Sequence, residues 1–212
     1  DGEPSTLAFF LVLICAMLVC GVLGFVIELL AYRPLRGRPR LTVLITAIGV
    51  SLFLEYSFQH KAIFGPNARA FPPILPWVDS IAIVGDLLIF WIDVLVVGVT
   101  VVLTIALSAM IKFTKVGMAI RAVSYNSDTA ALMGINANRA ISLTFVVGSM
   151  LAAVAGVLWA CKYPNVHPLM GLMPGIKAFV AAVLGGIGSI HGAVLGGLLL
   201  GMVETLVGGL EG

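Results

Sequence analysis

The sequence predicts an all-α, polytopic integral membrane helical bundle, and three observations carry that expectation. Only 10% of the 212 residues are charged and the mean hydropathy is +1.13, against roughly 25% charge in an ordinary soluble domain. The apolar residues fall in long continuous runs rather than in alternation. In lipid each backbone polar group must be satisfied within the protein, so spans are helices or closed barrels, and continuous runs select helices. Finally, the cations are gathered into two loops, as the topology of a multi-pass chain requires.

The first run, LAFFLVLICAMLVCGVLGFVIELLA (7–31), exceeds the ~20 apolar residues needed to span a hydrocarbon core, with Glu28 only near its end. LTVLITAIGVSLFLEYSF (41–58) is the second, WIDVLVVGVTVVLTIALSAMI (91–111) the third and AISLTFVVGSMLAAVAGVLWA (140–160) the fourth. The last apolar region, 178–207, is too long for one comfortable span and has a glycine-rich centre. A break near Ser189 to Gly192 would divide it into two shorter helical pieces. The bounds 1–212 are read as a single transmembrane domain containing a polar loop at 112–139.

Of the twelve Lys and Arg, Arg33, Arg36, Arg38 and Arg40 fall in one loop, and Lys112, Lys115, Arg121 and Arg139 in or beside the second. By the positive-inside rule both loops are cytoplasmic. Spans 7–31 and 91–111 then run inward, and 41–58 and 140–160 outward. The connections at 59–80 and 161–175, each with several Pro and Gly, are external and expected to be irregular. The chain opens DGEPST, without the basic start of a signal peptide, and ends GGLEG just past an apolar run. Both ends read as cuts in a longer polypeptide.

The polar passage GMAIRAVSYNSDTAALMGINANRA (117–140) interrupts this pattern. Asn126 and Ser127 are cap residues for a short helix, Asp128 suits its positive first turn, Ala130 to Met133 are helix formers, and Gly134 supplies a left-handed stop. Asn136 then caps the following span. A helix of one and a half to two turns is marginal alone in water, so this one needs something to dock on. Two readings stand at this point: an interfacial helix on lipid headgroups, or a protein-docking knob presenting Leu132 and Met133.

The glycines of LGGIGSIHGAVLGG (184–197) include Gly185, Gly186, Gly188, Gly192 and Gly196, several of them four residues apart. That spacing lets helices approach closely in lipid. No Gly-Lys-Ser/Thr closes the run, which excludes a phosphate-binding P-loop. Helix breaks in membranes are tolerated beside a cavity or inside protein, which makes this region the pathway candidate.

Among charges in apolar runs, Glu55, Lys177 and Glu204 are candidates for lining a pathway, since a charge near a helix centre costs roughly 2.5–3.5 kcal/mol on insertion scales. Glu55 and Glu204 fall in the outer half at 1.5 Å per residue. Lys177 stands at the positive end of its helix, where a cation is disfavoured; pairing with Glu204 or Glu55 would compensate. Asp93 is expected to reach the external headgroups, and Glu28 to pair with Arg33 or to snorkel at the cytoplasmic surface. Cys15, Cys20 and Cys161 are read as small apolar packers. His60, His167 and His191 are scattered, so neither a metal site nor a catalytic base is indicated, and a net charge of +2 gives no nucleic-acid footprint. No cofactor and no enzymatic chemistry follow from these residues.

AYRPLRGRP, LITAIGVSLFL, GMAIRAVSYNSDTAALMGIN and GIKAFVAAVLGGIGSIHGAVLGGLLLGMVETL together resemble, in order and spacing through most of 24–207, the LivH-like permease subunits of branched-chain amino acid ABC importers. The wider group includes urea/amide and sugar permeases. His191 departs from the resemblance, standing where such permeases usually carry proline, and the additional helices those subunits have at each end do not match here.

The resemblance implies a multi-pass subunit of the bacterial inner membrane, with ATP hydrolysed on separate cytoplasmic subunits. It further implies a second, homologous permease and an extracytoplasmic substrate-binding protein. By position, it assigns ATPase coupling to Arg121, Asn126, Asp128, Ala130, Leu132, Met133 and Gly134. An ion-coupled secondary transporter and a membrane scaffold whose loop recruits a partner are the rival classes.

Overall fold

A computed structural model describes residues 6–35, 39–61, 64–72, 81–84 and 87–210. Arg36 and Arg38, which entered the charge reading, lie outside the described residues, as do both chain ends. The chain divides into two compact units, Asp1–Pro168 and Leu169–Gly212. Among the described residues five helices are long and apolar enough to cross a membrane: Thr6–Leu35, Leu41–Gln59, Trp91–Phe113, Ala137–Lys162 and Ile190–Gly209.

The first unit begins with helix α1 (Thr6–Ile27), which widens into a π-wound turn at Glu28–Tyr32 and tightens into a 3-10 turn at Arg33–Leu35. Pro34 explains the change. It has no N–H to give the Leu30 carbonyl, so regular α winding cannot continue through it. Helix α2 (Arg40–Gln59) follows Pro39 and ends where His60 turns extended. After strands β1 (Arg69–Ala70), β2 (Ile81–Val84) and β3 (Leu87–Phe90), helix α3 (Trp91–Phe113) returns.

Helices α4 (Lys115–Tyr125) and α5 (Ser127–Leu132) form the polar passage, and α6 (Ala137–Lys162) closes the bundle. The core joins α1, α3 and α6. Phe9, Val154, Val157 and Leu158 are buried, with Leu13 and Val99 packed against them. Phe9 sits beside the end of α6, while Gly24 sits beside Ser149 nearer its start. Lys162 likewise meets Asp93 at the start of α3. Helices α1 and α3 therefore run antiparallel to α6, the relative directions expected from the loop charges.

The two connections read as irregular carry short regular pieces. Strand β1 pairs antiparallel with β4 (Asn165–Val166), Arg69 opposite Val166 and Ala70 opposite Asn165. The Phe71 N–H extends the pairing to the Pro164 carbonyl at 2.6 Å. Arg69 holds the first connection to itself by donating to the Phe64 carbonyl at 2.8 Å and stacking 4.7 Å from the Phe64 ring. Strands β2 and β3 pair as an antiparallel hairpin. The expected irregular stretch 161–175 is also shorter than its Pro and Gly content suggests. Cys161 and Lys162 still belong to α6, and the second unit's helix α7 (Leu172–Leu184) already begins before Pro174. Proline costs nothing in a first turn, where its missing N–H has no partner to lose.

The second unit is a helical hairpin of α7 and α8 (Ile190–Leu210). Its bend occupies 185–189, a few residues ahead of the expected 189–192. Gly186 and Gly188 adopt φ of +88° and +100°, the left-handed region open chiefly to glycine. Ser189 ends the bend and caps α8, its Oγ accepting the Gly192 N–H at 3.1 Å. Gly192 therefore lies in the helix, where it packs against the Gly185 backbone.

Candidate functional site

The polar passage is built by consecutive local decisions. Thr114 ends α3 with an extended backbone. Its Oγ1 donates to the Met110 carbonyl at 2.6 Å and accepts the Gly117 N–H at 3.1 Å, so one hydroxyl closes one helix and opens the next. The turn is so tight that a Cβ on Gly117 would lie 2.3 Å from the Ile111 carbonyl oxygen. Arg121, one turn further on, donates through Nη2 to the Lys112 carbonyl at 3.4 Å, placing its cation at the negative end of α3.

Asn126 then caps α5 as its sequence predicts. Its Oδ1 accepts the N–H groups of Asp128 and Thr129, each at 3.0 Å. Asp128 stands in the first turn, at the positive helix end. The helix stops in a Schellman arrangement: Gly134 has φ +80°, its N–H reaches the Ala131 carbonyl, and the Ile135 N–H reaches Ala130, both at 3.0 Å. Asn136 Oδ1 accepts the Arg139 N–H at 3.2 Å and starts α6.

These caps leave α5 as a knob with an apolar tip. Leu132 is 87% exposed and Met133 80%. Ala130, at 4%, is instead the residue on which the knob is seated. A shallow groove of about 580 Å³ runs beside it, lined among others by Met118, Ala122, Tyr125, Thr129 and Ile135. Of the seven residues assigned to coupling, Leu132, Met133 and Asp128 face outward, whereas Arg121, Asn126, Ala130 and Gly134 set the shape. Sequence reading passed over Tyr125, which is 94% exposed. The signal was present: Met118, Ala122 and Tyr125 recur at helical spacing on one face of α4.

The pathway candidates separate. On the hairpin, Lys177 Nζ and Glu204 Oε1 form an ion pair, both side chains about half exposed. In the first unit, Glu55 accepts a hydrogen bond from Ser51 Oγ one turn earlier in α2, at 3.0 Å. Asp93, expected to reach the external headgroups, pairs with Lys162 Nζ at 2.6 Å. Glu28, expected to pair with Arg33 or to snorkel, does not snorkel. The residue is fully buried, and its Oε2 accepts Ser142 Oγ at 2.6 Å.

The glycines of the hairpin pack backbone on backbone. A Cβ on Gly192 would stand 1.9 Å from the Gly185 carbonyl oxygen, and one on Gly196 2.2 Å from that of Ala181. Gly186 and Gly188 meet nothing within 4 Å and serve the bend instead. Helix α7, at 13 residues, is about 20 Å long, well short of a ~30 Å hydrocarbon core.

Among the described residues, five span-length apolar helices, a bent hairpin and a capped knob between two spans define a multi-pass helical membrane protein. The family model for the branched-chain amino acid transport system permease component matches residues 3–212, and the chain belongs to that family. It is 43% identical over 192 residues to the high-affinity branched-chain amino acid transport system permease protein BraD of Pseudomonas aeruginosa. It is 42% identical over 199 residues to the corresponding LivH protein of Escherichia coli K12. Each match covers 90% of this chain and 62% of the relative, so the chain spans under two thirds of the length of these curated relatives. The xylose transport system permease protein XylH of Haemophilus influenzae is 30% identical over 118 residues, which cover 53% of this chain and 31% of the relative. No solved structure matches the chain.

Proposed function

We propose that this chain is the membrane-spanning part of an ABC importer permease subunit in the bacterial inner membrane, translocating branched-chain or other small amino acids. Energy comes from ATP hydrolysed on separate cytoplasmic subunits, and capture from an extracytoplasmic binding protein, with a second, homologous permease completing the pathway. The single observation that carries this reading is the exposed Leu132–Met133 tip of α5, held rigid by caps at both ends and flanked by an apolar groove. A tip of that composition gains by entering a cleft on a protein partner. Closure of the ATPases on α5 then pulls the 112–139 loop and tilts the attached helices between inward-open and outward-open states.

Amino acids are favoured over sugars because the branched-chain amino acid relatives match far more of the chain, at higher identity, than the xylose permease does. In the same reading the Lys177–Glu204 pair faces a water-filled path, and Glu55 on α2 is a separate candidate. Half-exposed charges on apolar helices need water or protein beside them, not lipid.

The test is reconstitution of the full-length subunit with its ATPases and binding protein in proteoliposomes, comparing uptake of leucine, urea and ribose. ATP-dependent leucine uptake is expected. Leu132→Asp with Met133→Asp is expected to release the ATPase and lower uptake by about tenfold or more, the scale of one lost anchor at an interface. Retained ATPase binding with normal uptake in that variant would sink the coupling assignment. Lys177→Ala and Glu204→Gln are each expected to lower uptake several-fold with the ATPase still bound; unchanged uptake in both removes the pair from the path.

A further inference from the structure

We propose that Glu28 is a positioning residue which, with Ser142, latches α1 to the base of α6 and hands movement of the 112–139 loop on to that helix pair. The inference rests on the ATPase-driven reading above. Glu28 is the fully buried charged side chain among the described residues, and withdrawing a carboxylate from water is costly unless good partners compensate. Nothing about anchoring two helices demands such a group, because apolar side chains of similar volume would pack at lower cost. Its position offers a reason.

Ser142 lies six residues beyond Asn136, the cap on which the α5 knob hands over to α6. Displacement of α5 thus arrives first in the turns of α6 that carry Ser142. Across from it, α1 is shaped to receive that motion. Gly24 leaves room for Ser149 and the Phe145 carbonyl, and the Tyr32 ring packs 4.8 Å from the Phe145 ring. From Glu28 to Tyr32 the helix is π-wound, the Arg33 N–H reaching the Glu28 carbonyl. Such turns occur frequently at functional sites.

The bond itself has two settings. Ser142 Oγ lies 2.6 Å from Glu28 Oε2 and 2.9 Å from the Asn138 carbonyl of its own helix. A hydroxyl carries one hydrogen, so it serves the carboxylate across the seam or folds back on α6. Release from Glu28 therefore leaves the hydroxyl satisfied, which makes the latch reversible.

The readout is substrate moved per ATP hydrolysed, in the full-length subunit assembled with its ATPases and binding protein in proteoliposomes. A role in packing alone changes how much complex is recovered and leaves this ratio as it was. Ser142→Ala, a mild change that keeps the helix, and Glu28→Ala are each expected to lower the ratio by about tenfold, the scale of a hydrogen bond to a charged group. Glu28→Gln, whose amide oxygen still accepts the hydroxyl, is expected to stay within about twofold. An unchanged ratio in Ser142→Ala overturns the latch, as does a loss in Glu28→Gln equal to that in Glu28→Ala. In either of those cases wild-type uptake still depends on ATP, so the importer reading stands; a wild type without ATP-dependent uptake overturns that reading and the latch with it.

Discussion

The α1–α6 seam and the α7–α8 hairpin both rely on glycine, yet they tolerate change differently. In the hairpin, the space at Gly192 and Gly196 is filled by main-chain carbonyls, that of Gly185 at the C-cap of α7 and that of Ala181 within it. In the seam, the space at Gly24 is filled first by the side chain of Ser149, whose Oγ and Cβ would lie 2.0 Å and 2.7 Å from an added Cβ. A side chain can be exchanged or turned, whereas a carbonyl moves only with its helix. The difference teaches that close packing has two grades, one correctable by a second substitution and one not.

The largest effect should come from the hairpin. Gly192→Ala sets a methyl 1.9 Å from the Gly185 carbonyl oxygen and is expected to cost about 3 kcal/mol or more, at the upper end of overpacking changes. Unfolding in detergent, followed by circular dichroism, measures it. A cost under ~1 kcal/mol would erase the contrast. Gly24→Ala comes next at about 1–2 kcal/mol, and here the contrast can be sharpened. Adding Ser149→Gly is expected to recover about 1 kcal/mol relative to the sum of the two single changes, the coupling of residues in contact. No recovery would place both glycines in one class. The smallest effect belongs to the bend: Gly188→Ala meets open space but keeps φ near +100°, which is expected to cost about 1–2 kcal/mol of backbone strain without loosening the helix crossing.

What was legible in the sequence divides by distance along the chain. The caps at Asn126 and Asn136 and the left-handed stop at Gly134 were readable because each acts on residues within a few positions of itself. The spans were readable for a similar reason, since length and apolar content are local properties. The bend near 189 was placed a few residues late, because glycines stand on both sides of it and only the Ser189 cap decides where α8 starts. Partners remote in sequence were hidden. The Glu28–Ser142 contact spans 114 positions and the Asp93–Lys162 pair 69, so neither shows as a local pattern. Likewise no pattern in 59–80 announces the pairing of β1 with β4, two residues long on each side. For Lys177, an unfavourable helix position was signal enough to anticipate a carboxylate partner, and the hairpin supplies Glu204.

The capping of α5 has one more consequence. Its hydrogen bonds at 126–136 are drawn from neighbours within that same stretch, apart from the Asn126 N–H, which closes on Ala122, and Asn136, which accepts the Arg139 and Ala140 N–H groups of α6. Form and aim are thus specified in separate places: the outline of the knob by eleven consecutive residues, its direction by the helices on either side. Substitutions deep in the bundle can therefore turn the knob without blunting it.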